Sequence, residues 1–170
     1  QPTTEAAEKT LIRGAAIISM DQAVGNLVKG DILVTGRTIT AVGENLSAED
    51  ALVIDAKDMI AIPGMVDSHR HAWEGQLRRI NSNAETLEHY SNATHFSFAK
   101  HYRPQDMYVG TLLSALGAID AGITTVIDNS HNSRTAAHSD ASVEALLDAG
   151  IRALHASGAP VSGTWDRAHW

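Results

Sequence analysis

From Met65 onward the chain repeats one grammar, an apolar or β-branched run followed by a helical pattern, and this order restricts the fold more than any other feature. Met65 to His71 reads as a strand. A helix starts at Pro104 and stops at Gly122, and Ile123–Asp128 follows as a second strand. A second helix runs from about Asp140, capped by Ser139 or a residue nearby, to Gly150, and Ile151–Ser157 is a third strand. Proline suits the first helical turn because its missing N–H has no helical partner to lose there. Glycine ends a helix by taking the left-handed conformation that other residues resist. Strands joined through helices cannot be hairpin partners, so these three are expected to lie parallel with right-handed crossovers. In the first helix Met107, Val109, Leu112, Leu113, Leu116 and Ile119 recur at helical spacing and are expected to face the core.

The first third of the chain has a different pattern. After a polar lead-in over Gln1–Lys9 come Leu11–Ile18, Gly30–Val34 and Thr38–Val42, punctuated by Gly25-Asn26 and by Gly36-Arg37, the latter tight enough for a hairpin. Ala51–Asp55 and Met59–Ile62 are expected to pair with each other around Ala56-Lys57-Asp58. Such a layer has little stability alone and needs a covering sheet or domain. The fold class expected is therefore α/β: residues 1–62 form part of a small β-sandwich, and residues 63–170 supply the first three strands of an incomplete (β/α)8 TIM-type barrel. Between the first barrel strand and its helix lies a polar connection, Ala72 to Tyr102, which includes Asn81-Ser82-Asn83 and a short helix around Ala84–Tyr90.

Composition excludes several classes of function. The net charge of −7 and the absence of any Lys/Arg cluster argue against a nucleic-acid surface. No apolar stretch approaches the ~20 residues of a membrane span. The expected partners are a small-molecule substrate, the remainder of the protein's own chain and further copies in a homo-oligomer, in a cytoplasmic protein with export left open. With no cysteine, any metal must be held by nitrogen and oxygen ligands.

Those ligands are suggested by Ile60-Ala61-Ile62-Pro63-Gly64-Met65-Val66-Asp67-Ser68-His69-Arg70-His71, where a buried apolar strand ends in Asp67, His69 and His71. Alternate residues of an extended chain point the same way, which puts His69 and His71 about 7 Å apart at Cα and lets their rings converge on one cation. In a chain with 9 histidines the spacing alone is weak evidence. Its place at the carboxyl end of a strand gives it weight, because α/β barrels hold their chemistry there. Asp67 either accepts hydrogen bonds behind the ligands or caps nearby backbone. Arg70 points the other way and is expected in a structural salt bridge. Trp73, Glu74 and Gln76 suit a pocket wall, with Trp73 stacking a planar ligand, or plain loop packing. His131 touches substrate or is structural, and the structural reading is favoured for His155. Asp128 and Asn129 carry the same ambiguity. His89, His95, His101, His138 and His169 have no usable partner spacing and are expected on the surface or in loops.

The β-rich opening followed by Ile62–His71 resembles the start of the amidohydrolase superfamily of metal-dependent hydrolases. Tyr102–Tyr108 and Gly122–Asp128 resemble its subgroup of triazine chlorohydrolases, cytosine and guanine deaminases and related aminohydrolases. The resemblance implies a distorted (β/α)8 barrel, a β-sandwich built from both chain ends, and one divalent metal ion, zinc first and iron second. His69 and His71 match the first ligand pair. The third ligand histidine, the proton-handling histidine and glutamate, and the final aspartate are expected beyond Trp170, because a whole barrel takes about 250 residues. The implied activity is attack of metal-activated water on a C–N or C–Cl bond of a nitrogen heterocycle, with these residues inactive alone. The alternatives are cyclic-amide hydrolysis and a non-catalytic truncated binding module.

Overall fold

The computed structural model describes residues 8–80 and 83–169, so most of the polar lead-in and Asn81-Ser82 of the connection lie outside the described residues. The chain divides after Pro63 into two compact units.

The first unit is built on β1 (Lys9–Ile18). One edge of β1 pairs antiparallel with β2 (Asn26–Thr35), which continues through a hairpin into β3 (Thr38–Gly43). Gly36, at φ +59, takes the first position of the two-residue loop, the left-handed conformation such a turn requires. Gly14, at φ +80, sits where the β1–β2 register shifts, and its N–H donates to the buried Asp31 carboxylate at 2.9 Å. The other edge of β1 holds β4 (Leu52–Asp55) and then β5 (Ile60–Ala61), both parallel to it. The expected hairpin between these last two does not form. Residues 56–59 instead carry the chain along β1, with Ala16 donating to the Met59 carbonyl and Ala56 to that of Arg13. The result is a small mixed sheet, with Ala15, Ile17 and Ala56 at its core.

The second unit contains a parallel three-stranded sheet in the order β6 (Met65–Arg70), β7 (Ile123–Ser130), β8 (Arg152–Ser157). Met65 and Val66, expected to be buried, are 50% and 66% exposed, because β6 is an edge strand of a narrow sheet. The connection after β6 folds as a 3-10 turn over Ala72–Leu77, helix α1 (Leu87–Ala93), a π turn over Thr94–Phe98 and a 3-10 turn over Ala99–His101. Thr86 caps α1 by accepting from the His89 N–H.

Helix α2 (Pro104–Asp120) begins where the proline predicts, and Asp106 closes its first turn by accepting from the Arg103 backbone at 2.8 Å. Its buried face differs from the expected one. Met107, Gly110, Thr111, Ala115 and Ala118 are buried, whereas Val109, Leu113, Leu116 and Ile119 are 42–50% exposed. The helix lies so close to the Ala72–Leu77 turn that a side chain at Gly110 would strike the Trp73 carbonyl, and one at Gly75 would strike the Gly110 carbonyl. Only the small-residue face permits that approach.

Helix α3 (Ala136–Ala149) starts four residues before the expected position. Thr135 is its N-cap by backbone conformation, with its hydroxyl paired to His138 Nδ1 at 2.8 Å, so Ser139 and Asp140 lie inside the helix. Gly150, at φ +72, ends it. Ala115 and Ala118 of α2, Val126 of β7, Leu146 of α3 and Ile151 form one core cluster; Trp73, Ala99, Tyr102 and Met107 form another. Among the described residues no helix is long and apolar enough to cross a membrane.

Candidate metal centre

The carboxyl ends of β6, β7 and β8 are held in register, with Arg70 opposite Asp128 and Asp128 opposite His155. Asp128 has no exposed surface. One of its oxygens accepts from the Ala72 N–H at 3.1 Å and the other from His155 Nδ1 at 2.9 Å. It thereby ties the chain leaving β6 to β8, and His155 is a partner in that network.

His69 and His71 converge. Their Nε2 atoms are 3.4 Å apart, on an exposed ring and a half-exposed one. The His71 Nδ1 lies 2.7 Å from the carbonyl oxygen of Asn129. A carbonyl can only accept, so Nδ1 carries the proton and Nε2 of the neutral ring presents a lone pair. Two nitrogens at roughly 2.0–2.1 Å from a tetrahedral zinc stand about 3.3–3.4 Å from each other. The pair thus fits a zinc-class cation in spacing and tautomer.

Asp67 lies behind this pair without touching either ring. It accepts from the His69 backbone N–H at 3.1 Å and from Arg70 Nε at 2.8 Å, while Arg70 also donates to Ser114 of α2. The β6–β7 register is irregular between Asp67 and Arg70, which lets residues of opposite parity meet.

His131 stands against His71, with ring centroids 4.1 Å apart, and its Nδ1 is 3.2 Å from the same Asn129 carbonyl. Its Nε2 faces His95 Nε2 at 3.3 Å and Glu74 Oε1 at 4.0 Å. Glu74, His95 and His131 offer three ligand atoms within 4.8 Å of one another, a group that could hold a metal ion. Burial raises the pKa of Glu74, against the lowering effects of the Tyr90 hydrogen bond and the His71 charge. Burial lowers that of His131. His95 is held down to about 4, first by burial, then by His131, His71 and Arg134.

Trp73, expected as a pocket wall, is fully buried, and the rings against it are those of Tyr102, His95 and His131. Gln76 is half-buried and donates to the Asp106 carbonyl at 3.3 Å.

His95 and His138, expected on the surface or in loops, are 4% and 7% exposed. His138 belongs to the buried face of α3, where its Nε2 meets the Tyr102 carbonyl at 3.0 Å. His95 reaches His131 only through the π turn, and no local spacing announces it. His89 and His101 are exposed, and the side chain of His169 lies outside the described residues.

Helix-linked parallel strands with imidazoles gathered at their carboxyl ends define an α/β chain built to present histidines at one sheet edge. The chain belongs to the amidohydrolase family, whose model matches residues 60–164. It is 32% identical over 142 residues to a 5-methylthioadenosine/S-adenosylhomocysteine deaminase of Thermococcus kodakarensis, covering 84% of this chain and 32% of that protein. It is 30% identical over 118 residues to a 5'-deoxyadenosine deaminase of Methanosarcina acetivorans, covering 69% and 27%. Among solved structures it is similar to the triazine hydrolase of Arthrobacter aurescens, with a TM-score of 0.74, 32% identity, and coverage of 88% of this chain and 35% of that one. It is also similar to a variant of atrazine chlorohydrolase TrzN from Arthrobacter aurescens TC1 complexed with zinc and atraton, with a TM-score of 0.73, 32% identity, and coverage of 86% and 35%. The chain thus spans about a third of the length of the relatives it matches.

Proposed function

We propose that this chain is the metal-capturing part of an aminohydrolase acting on a C–N or C–Cl bond of a nitrogen heterocycle. The observation that carries the reading is the His69–His71 pair, with its 3.4 Å spacing and an Asn129-fixed tautomer. Deaminases and a zinc-bound chlorohydrolase among the relatives support the reaction class. The alignment to triazine hydrolase supports reading β6, β7 and β8 as opening strands of a (β/α)8 barrel and the first unit as part of a β-sandwich, with the boundary near Pro63.

A divalent cation held by His69 and His71 would supply Lewis acidity and an activated water. The chain's own residues prepare that site. The Asn129 carbonyl accepts a hydrogen bond from His71 Nδ1–H and leaves the Nε2 lone pair free for the cation. Asp67 fixes the backbone at His69 and holds Arg70 away from the pair. Asp128 anchors Ala72, so the ring of His71 keeps its place at the strand end. Trp73 packs behind His131, and His131 stands against the His71 ring. Two imidazoles fall short of the three protein ligands usual in catalytic zinc sites, so metal capture rather than turnover is the property assigned to these residues alone.

Zinc content after dialysis tests the assignment. The wild-type chain should retain zinc, and His69→Ala and His71→Ala should each lose zinc from this pair. In protein of the relatives' length, ammonia release from 5'-deoxyadenosine or 5-methylthioadenosine, or chloride release from atrazine, should disappear with either substitution. Undiminished turnover in both variants would end the reading.

A further inference from the structure

We infer that Glu74, His95 and His131 form a second cation site of the zinc class, separate from the His69–His71 pair and independent of the function proposed for it. Three parts of the chain meet here: the turn after β6, the π turn at Thr94–Phe98, and the loop after β7. The two imidazole Nε2 atoms stand at 3.3 Å, close to the separation of the His69–His71 nitrogens and to that of two ligands on a tetrahedral zinc.

The three ligand atoms lie within 4.8 Å of one another, a spacing that admits a cation between them. With a cation on Nε2 the His131 ring proton sits on Nδ1, where the Asn129 carbonyl at 3.2 Å can accept a hydrogen bond from it; the same Nδ1 lies 3.5 Å from Trp73 Nε1. Glu74 Oε1 faces His131 Nε2 at 4.0 Å, beyond hydrogen-bond distance. A proton shared between the two Nε2 atoms joins the rings to each other and leaves the carboxylate without a partner on either ring. A divalent ion satisfies all three groups at once. Glu74 has to close by roughly an ångström to reach bonding distance, a movement within the freedom of its side-chain torsions. Tyr90 donates to Glu74 Oε1 at 2.5 Å and orients it, the kind of supporting bond that metal-ligating carboxylates receive. The set of two nitrogens and one oxygen, with no sulfur, suits zinc and its neighbours in the first transition row.

Zinc alone, titrated into the chelator-treated chain and counted after gel filtration, tests the site. The wild-type chain should hold two equivalents. The His69→Ala/His71→Ala double variant should hold one, and Glu74→Gln/His95→Gln should hold one at the other pair. In the unmutated chain, the imidazole NMR signals of His95 and His131 should shift on zinc addition along with those of His69 and His71. This measurement needs no variant to fold. A His69→Ala/His71→Ala chain with native far-UV circular dichroism and no zinc would overturn the proposal, as would His95 signals unmoved by saturating zinc. One equivalent bound by the wild type and kept by His69→Ala/His71→Ala supports this site while ending the reading of the first pair.

Discussion

His71 and His131 lie against each other and share one hydrogen-bond acceptor: both Nδ1 atoms approach the Asn129 carbonyl, at 2.7 and 3.2 Å. A single backbone oxygen thereby orients two rings and aims their Nε2 atoms outward, one toward His69 and the other toward His95. Asn129 sits near the end of β7, so the strand itself organises both imidazoles.

The two members of the first pair should respond differently to removal. His69 is exposed and its ring makes no contact with buried polar groups, so His69→Ala should lower zinc affinity by at least about 100-fold with stability changed by less than about 0.5 kcal/mol. His71 also bonds Asn129, and His71→Ala should lose zinc and cost the metal-free chain about 1 kcal/mol besides. Urea unfolding in chelator, beside zinc counting, separates these effects.

Asp128 is the buried carboxylate on which the strand ends depend. Asp128→Ala removes the partner of the Ala72 N–H and of His155 and should destabilise the chain by about 3 kcal/mol. Asp128→Asn keeps an acceptor for one of the two donors and should cost roughly half as much. Denaturant midpoints for the two variants measure both numbers, and equal midpoints would show that the Ala72 bond alone matters.

Much of this arrangement was legible in the residues. Pro104 and Gly150 mark real helix ends because each reports a backbone conformation that its side chain, or lack of one, dictates locally. The convergence of His69 and His71 follows from strand periodicity and holds through the end of β6. Features set by distant packing were not legible. The buried face of α2 is chosen by the close approach of the Ala72–Leu77 turn at Gly110 and Gly75, so its larger apolar residues mislead. The partners of β4 and β5 depend on β1, some forty residues earlier in sequence, and not on the short segment between them. His95 joins His131 from 36 residues away in the chain, a contact with no signature in spacing.

Gly110 tests how tightly the site is braced from behind. A methyl group there would collide with the Trp73 carbonyl, which is backbone and cannot swing aside. Gly110→Ala should therefore cost about 2–3 kcal/mol, although alanine is the better helix former by about 1 kcal/mol. The displaced turn carries Glu74, so zinc bound by the His69→Ala/His71→Ala variant should weaken when this substitution is added. Stability equal to wild type would mean that the helix and turn separate easily.

The acid response of the metal-free chain follows from His95. Its folded pKa of about 4 lies below the ordinary histidine value, and burial is the largest cause. At pH 7 neither the folded nor the unfolded chain carries this proton. As the pH falls through about 6.5 the unfolded chain takes the proton up and the folded chain does not. Stability therefore decreases as the solution is acidified from about 6.5 towards about 4, with a slope of at most about 1.4 kcal/mol per pH unit from this residue, and levels off for it below. His131, also lowered by burial, adds a contribution of the same sign. Glu74, raised by burial, acts in the opposite sense at the acid end, because its folded form binds a proton first. Comparing the wild type with His95→Gln, which keeps both of those groups, isolates the His95 share. Urea midpoints in chelator between about pH 7 and about pH 5 should fall more steeply for the wild type than for His95→Gln. Parallel curves would mean that His95 accepts its proton in the folded chain as readily as in the unfolded one.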